Sequence, residues 1–383
     1  MSAESVIDAL IRTRRVIVCA GPGGVGKTTT SAAIALRAAC LGKRTLVLTV
    51  DPARRLANSL GLEGFQHDEQ RIGEHLFHRA KIPTTGAVPE LYAMMLDTKR
   101  VFDSVVGRYA PNPEVRDRIL KNPFYQQASV HLAGSQEYMA MEKVYELTQA
   151  GRYDLLVLDT PPTVHALDFL DAPSRLEEFL GQSVSGLMAR SSRVVGRLGL
   201  GFLKANKMIL RGIGKFVGTD FFVDLLDFLQ DFSEMYTGFK TRAHAVKELM
   251  RSPEVGFVVL TGPERSSIDE GLFLRDRLVA EDMPFATFVI NRLHVFAGEV
   301  PDGAAIRAAL TAHGASPPTA DAATERLTAG VTAYARLALR DAALVSDLRP
   351  RLAGAPLLTV PEFDQDIHDL AGLYAYGQQL LVQ

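Results

Sequence analysis

Ten consecutive residues carry the clearest chemistry in the chain: Gly21-Pro22-Gly23-Gly24-Val25-Gly26-Lys27-Thr28-Thr29-Thr30. In the spacing G-x-x-x-x-G-K-T, glycines let backbone N–H groups close around an anion, and a lysine reaches the terminal phosphates of a nucleotide. The helix start that follows adds partial positive charge, and the Thr28 hydroxyl is placed to hold Mg²⁺. The competing reading is a glycine-rich turn without a ligand. Its neighbours argue against that. Arg15 to Ala20 reads as a buried strand, and Ser31 to Cys40, alanine-rich and free of breakers, reads as a helix. Strand, loop and helix are in register, so a nucleoside triphosphate site is expected at Gly21, Gly23, Gly24, Val25, Gly26, Lys27 and Thr28.

Two carboxylates end apolar runs. Arg44 to Val50 reads as a strand that leads directly into Asp51-Pro52-Ala53-Arg54-Arg55. Ligands of open α/β sheets sit at the carboxyl ends of the strands, so Asp51 can orient or deprotonate the water that attacks a γ-phosphate. Asp-Pro-Ala is equally a good helix start, and the two roles are compatible. Further on, Tyr153 to Leu158 is followed by Asp159-Thr160-Pro161-Pro162-Thr163-Val164-His165. A run of apolar residues closed by Asp has the form of a Walker B strand, which puts Asp159 near the magnesium shell; a helix N-cap is the alternative. His165 either senses the γ-phosphate or packs on the next helix. Asn291 ends a third strand, Phe285 to Asn291, and its amide can offer a purine edge both a donor and an acceptor.

These residues must be held by a sheet. The 383 residues amount to two or three domain-sized units, and 47% hydrophobic composition supports a sizeable core. Forty-two Lys and Arg against forty-four Asp and Glu give a net charge of −2, so no global basic field exists to attract nucleic acid. Met1 to Arg15 lacks the apolar core of a signal peptide, and no run of about eighteen apolar residues occurs, so a cytoplasmic protein is expected. Cys19 and Cys40 are the only cysteines and are not spaced as C-x-x-C, which excludes a zinc clasp or a thioredoxin-type pair.

Residues 88 to 150 read as largely helical, with a break at Tyr109 to Pro113 and a new helix from Ser135. From Phe179 to Thr219 there is no acidic residue, while Arg190, Arg193, Arg197, Lys204, Lys207, Arg211 and Lys215 stand among apolar residues. Such a stretch suits an anionic membrane surface or the cover of a greasy groove, or else it is a solvated helical face. Phe221, Phe222, Leu225, Leu226, Leu229, Phe232, Met235 and Tyr236 share one side of the next helix, as core or as an adaptable groove for other helices. Strands resume at Gly256 to Thr261 and at Phe285 to Asn291, on either side of a helix at 267–281. Residues 302–350 read as helices around Gly314-Ala315-Ser316-Pro317-Pro318, and Ala355 to Pro361 is the last strand. Strands thus lie on both sides of 173–250. The expected fold is α/β, a mainly parallel sheet formed by residues 1–172 and 251–383 with a helical subdomain inserted at 173–250.

With these pieces in place, the chain resembles the arsenite-pump and guided-entry targeting ATPase family, within the deviant Walker A class of P-loop proteins. The resemblance rests on the loop Gly21 to Thr29, on Asp51-Pro52-Ala53, on Asp159 to His165, and on Asn291; Ala133-Gly134-Ser135-Gln136-Glu137-Tyr138 and Asp366-Ile367-His368-Asp369-Leu370 look like its bacterial branch. It implies a P-loop NTPase sheet with a helical lobe that moves with nucleotide state. It also implies ATP and Mg²⁺ as cofactors, Asp51 as the water-activating residue, and Thr28 and Asp159 at the magnesium. Lys27 and Thr29 would serve the phosphates, and Asn291 with the Pro361 loop the adenine. Three departures matter. Pro22 stands where the family usually has a second lysine, the family's C-x-x-C is missing, and two cysteines cannot form the three-thiolate site that trivalent arsenic prefers. Arg54 or Arg55 is a candidate substitute for the missing lysine.

Three functions are compatible with these features. The first is an ATPase, expected as a homodimer because a single phosphate loop is present, that opens and closes a helical lobe around a hydrophobic or amphipathic segment of a client protein. The second is the ATPase subunit of a membrane pump for arsenite or another anion, in contact with a membrane protein. The third is an ATP-dependent regulatory or partitioning switch. None of them involves nucleic acid.

Overall fold

The computed structural model describes residues 5–50, 55–62, 68–83, 88–131, 135–161 and 219–382. Asp51, Arg54, His165, the basic stretch as far as Gly218, and the side chains of Arg55, Phe221, Phe222, Leu225, Leu226 and Tyr236 lie outside the described residues.

Strand β1 (Val16–Ala20) is the axis of an eight-stranded sheet. Its partners are β2 (Thr45–Thr49), β3 (Gln70–Arg71), β4 (Leu91–Met95), β5 (Leu155–Asp159), β6 (Val255–Thr261), β7 (Phe285–Leu293) and β8 (Leu357–Pro361). The order is β3-β4-β2-β5-β1-β6-β7-β8, and every neighbouring pair is parallel except β3 with β4. The sheet is covered on both faces, which is why its strands read as continuous apolar runs. Alternate residues of β1 go opposite ways: Val16 and Val18 join one core cluster, Ile17 and Cys19 the other. Each fully buried Val or Ile is worth about 1.5–3 kcal/mol, so the central strands are held on both sides.

One face carries α1 (Val6–Thr13), α2 (Lys27–Cys40) and the C-terminal α13 (Leu370–Gln379), with the short helices α3 (Arg55–Ser59) and α4 (Glu74–Arg79). Ser5 caps α1 and Asp369 caps α13, each accepting a backbone N–H of the first turn. Seven buried apolar residues in α2, five of them alanine, let it sit close to the sheet and to α13, whose Gly377 faces Ala33.

The opposite face is a helical layer. It contains α5 (Thr98–Tyr109), α6 (Pro113–Lys121), α7 (Pro123–His131), α8 (Ser135–Ala150) and the 33-residue α9 (Thr219–Arg251), which packs on all four. Helix breaks fall where caps are encoded: Asp97 caps α5, and Asn112 followed by Pro113 starts α6. Leu229, Phe232 and Met235 of the apolar stripe of α9, with Phe228 beside them, are buried in the core. Phe228 and Phe232 lie 5.5 Å apart, and Phe239 continues the row to Tyr138 at 5.5 Å. These three described side chains of the stripe are therefore core. Across the layer, the buried carboxylate of Glu142 on α8 receives Arg242 of α9 at 2.7 Å, with Arg108 of α5 at 3.6 Å.

Two strands differ from the sequence reading. Leu91 to Met95 is parallel strand β4 beside β2, not the start of the helical region, and β3 pairs with it. Leu, Ala and Met favour helices, but the buried slot next to β2 overrides that propensity. After β6 come α10 (Arg265–Ala280) and, between β7 and β8, the pair α11 (Gly303–Ala312) and α12 (Pro317–Arg351).

Candidate phosphate-binding site

β1 ends at Ala20, and the loop that follows turns directly into α2, with Gly26 as its N-cap at φ +92°. A Cβ at Gly26 would run into the Asn291 amide, and one at Gly21 into the Leu260 carbonyl, so only glycine fits at either place. Lys27, buried at the first position of α2, turns back over the loop and donates to the carbonyls of Gly21 at 2.9 Å and Pro22 at 2.8 Å. The ammonium is thereby held at the rim of the cradle, where an anion would sit. Gly23 and Gly24 are exposed, Val25 is buried, and Thr28 and Thr29 are half-buried.

The strand ends converge here because the register aligns them: Cys19 and Thr49 both stand opposite Asp159. Asp159 is buried, and its Oδ2 accepts the hydroxyls of Thr28 and Thr49, each at 2.8 Å. The carboxylate at the end of β5 and the hydroxyl at the start of α2 thus meet. A hydroxyl and a carboxylate are the hard oxygen donors that Mg²⁺ takes, so the residues present fit that ion. The Val50 N–H donates to the Asp159 carbonyl at 3.4 Å; Asp51 follows it, outside the described residues.

Asn291 is buried at the carboxyl end of β7, and its Nδ2 donates to the Val25 carbonyl at 2.8 Å. The amide expected to read a base thus also braces the loop. Pro361, the last residue of β8, stands opposite Leu293, two residues beyond Asn291 on the neighbouring strand β7. Beside the loop, Pro22 to Val25, Gly262, Pro263, Glu264, Ser266, Ser267, Glu270 and Arg292 enclose an open cavity of ≈ 460 Å³.

Three partners escaped the sequence reading. Thr49 is one residue of a β run and carries no signal of its own. Tyr376 sits in a tail without a motif, yet its buried hydroxyl meets that of Thr30 at 2.7 Å. Arg292 follows Asn291 and shows only as a charged residue at a strand end. The thiol of Cys19 is fully buried beside these groups, and burial pushes its pKa up to about 12. It stays protonated at neutral pH.

The family model described as "Anion-transporting ATPase" matches residues 14–309, which span the loop, Asp159 and Asn291. Among curated relatives, "ATPase GET3" of Malassezia globosa is 30% identical over 177 residues, 46% of this chain and 47% of that one. "ATPase GET3" of Podospora anserina is 27% identical over 209 residues, 55% and 56% of the two chains. "ATPase ASNA1 homolog" of Babesia bovis is 30% identical over 169 residues, 44% and 41% of the two. The chain spans about half the length of the curated relatives it matches. With most of the chain matched, and a glycine cradle, buried lysine and Thr28–Asp159 pair at its centre, it belongs to the anion-transporting ATPase family.

Proposed function

We propose that the chain binds ATP with Mg²⁺ and hydrolyses it, using the cycle to change the arrangement of its helical layer around an apolar segment of a client protein. The observation that carries the nucleotide reading is the meeting of Thr28 with Asp159 at the foot of α2, beside the inward-turned Lys27. Backbone N–H groups of Gly21, Gly23, Gly24, Val25 and Gly26, with Lys27 and Thr29, hold the phosphates. Thr28 and Asp159 hold Mg²⁺, which when bound neutralises charge on the phosphate oxygens. Asp51 orients the attacking water and takes its proton, and Asn291 with Pro361, at the end of β8, takes the adenine. Since one chain has one phosphate loop, the working form is proposed as a cytoplasmic homodimer. No helix among the described residues is long and apolar enough to cross a membrane.

Support for the client comes from the acid-free basic stretch between Phe179 and Thr219 and from the targeting branch of the family, not from Leu229, Phe232 and Met235 of α9, which are core. The family description favours a second reading, a pump subunit for an anion. Arsenite is a poor candidate, because the chain has two cysteines where a three-thiol site is preferred, and Cys19 is fully buried in the core.

One preparation separates these readings. ATP turnover by wild type that disappears in Lys27→Ala establishes the ATPase, and its absence from pure wild type overturns it. Asp51→Asn, loaded with ATP, is then recovered from its own cells and compared with the nucleotide-free form by mass spectrometry. Proteins with exposed apolar helices enriched only with ATP support the client reading. An integral membrane transporter instead supports the pump, and no enrichment supports the regulatory switch.

A further inference from the structure

Arg292 is placed at the mouth of the phosphate loop by a distortion of the sheet. The β7–β8 pairing slips between Ile290 and Leu293, and Arg292 lies in the slip with φ +60°. This is left-handed backbone, which costs a residue with a Cβ and is tolerated where the surroundings impose it. Its neighbours Asn291 and Leu293 are buried, whereas Arg292 is turned outward. There it borders the ≈ 460 Å³ cavity that Pro22, Gly23 and Gly24 of the loop also line. Among the described residues no hydrogen bond or ion pair holds its side chain, although Glu264 and Glu270 border the same cavity. Its charge reaches the Tyr376 hydroxyl, where it opposes the rise in pKa that burial causes. An uncommitted guanidinium therefore borders the same cavity as the loop.

We propose that Arg292 is a nucleotide-contact residue, a fork that takes phosphate oxygens of a nucleoside di- or triphosphate seated in the loop. The proposal rests on the nucleotide reading given above. Guanidinium binds phosphate bidentately and keeps its charge at any physiological pH, and it would supply a cation at a rim where Pro22 offers none. Glu264 and Glu270, which line the same cavity, are acceptors suited to the hydroxyls of a ribose. The strained conformation is then the cost of aiming a charge at the ligand.

Strain and contact predict opposite effects of one substitution, which makes the test sharp. Glycine accepts φ +60° freely, so Arg292→Gly keeps the backbone and removes the fork. Binding of MgATP, MgADP and inorganic tripolyphosphate is measured by calorimetry for wild type, Arg292→Gly and Arg292→Lys, and melting is followed without nucleotide. The expected result is at least about tenfold weaker binding of all three probes by Arg292→Gly, with melting at or above the wild-type temperature. Arg292→Lys recovers part of the affinity. Wild-type affinity in Arg292→Gly overturns the assignment, and so does loss of affinity that only accompanies a lower melting temperature. Wild type that binds no ATP at all overturns the nucleotide reading itself, an outcome visible before any variant is compared.

Discussion

The hydroxyl of Tyr376 lies 2.7 Å from that of Thr30, joining the C-terminal helix to the helix that begins at the phosphate loop. Thr30 also donates to the Gly26 carbonyl at 3.1 Å, so the last ordered helix bears on the N-cap of α2 through one threonine. Burial raises the tyrosine pKa, keeping the phenol protonated throughout the working range. Tyr376→Phe keeps the ring and its contact with Phe363 but leaves the buried Thr30 with one partner fewer. A loss of about 1 kcal/mol in urea unfolding is expected. Thr30→Val should lose a similar amount, and the double variant clearly less than the sum.

Thr28 and Asp159 are expected to act as one unit toward magnesium. Thr28→Ala should lower turnover by on the order of a hundredfold at low Mg²⁺ while leaving the melting temperature nearly unchanged. Titrating Mg²⁺ against rate distinguishes this from a general defect. A variant whose Mg²⁺ dependence matches wild type would remove Thr28 from the metal site.

Two glycines with similar backbones should respond differently to alanine. Gly26 and Gly42 have φ +92° and +85°, but only at Gly26 would a Cβ meet another group, the Asn291 amide; at Gly42 there is open space. Gly42→Ala carries conformational strain alone, about 1 kcal/mol. Gly26→Ala adds the collision and the displacement of Asn291 from Val25, and should cost about 2–3 kcal/mol and also weaken ATP binding. Equal losses at the two sites would show that Asn291 moves aside without consequence.

Asp341 on α12 is wholly buried and accepts from the His294 N–H at 3.0 Å, from His294 Nδ1 at 2.7 Å and from Arg340 at 3.0 Å. Burial alone would raise its pKa, but the bonds from His294 and Arg340 prevail and hold the carboxyl below its ordinary value. A pKa lowered on folding stabilises the native state above the unfolded value, near about 4, and that contribution fades as pH falls through the lower native value. Asp341→Asn should therefore cost about 3 kcal/mol at pH 7, with the gap to wild type closing below about pH 4. Urea midpoints across that range provide the check, and a gap independent of pH would contradict the assignment.

Much of the site could be read before the structure, because its chemistry is local. The loop from Gly21 to Thr29 is contiguous, and the strands that carry Asp159 and Asn291 near their carboxyl ends are buried on both faces and so appear as apolar runs. What could not be read depends on pairing between distant segments. Leu91 to Met95 has helix-forming side chains and becomes a strand only because β2 offers an open edge. Tyr376 and Thr30 are 346 positions apart, and the outward turn of Arg292 follows from a register slip against β8 that no residue at 290–293 announces. The apolar stripe of α9 carried two meanings at the level of sequence, and for Leu229, Phe232 and Met235 burial in the helical layer makes it core.

The ion pair between Arg242 and Glu142 is not the only polar tie on α9: Arg118 holds its Asp231 at 2.7 Å, and its Arg251 holds Glu281 at 3.1 Å. At the rise of an α-helix these points span about 30 Å, and the end at Arg251 packs beside β6, the strand next to β1. Fastened along that length and buried on its apolar side, this part of α9 is expected to shift only together with the helices it packs on.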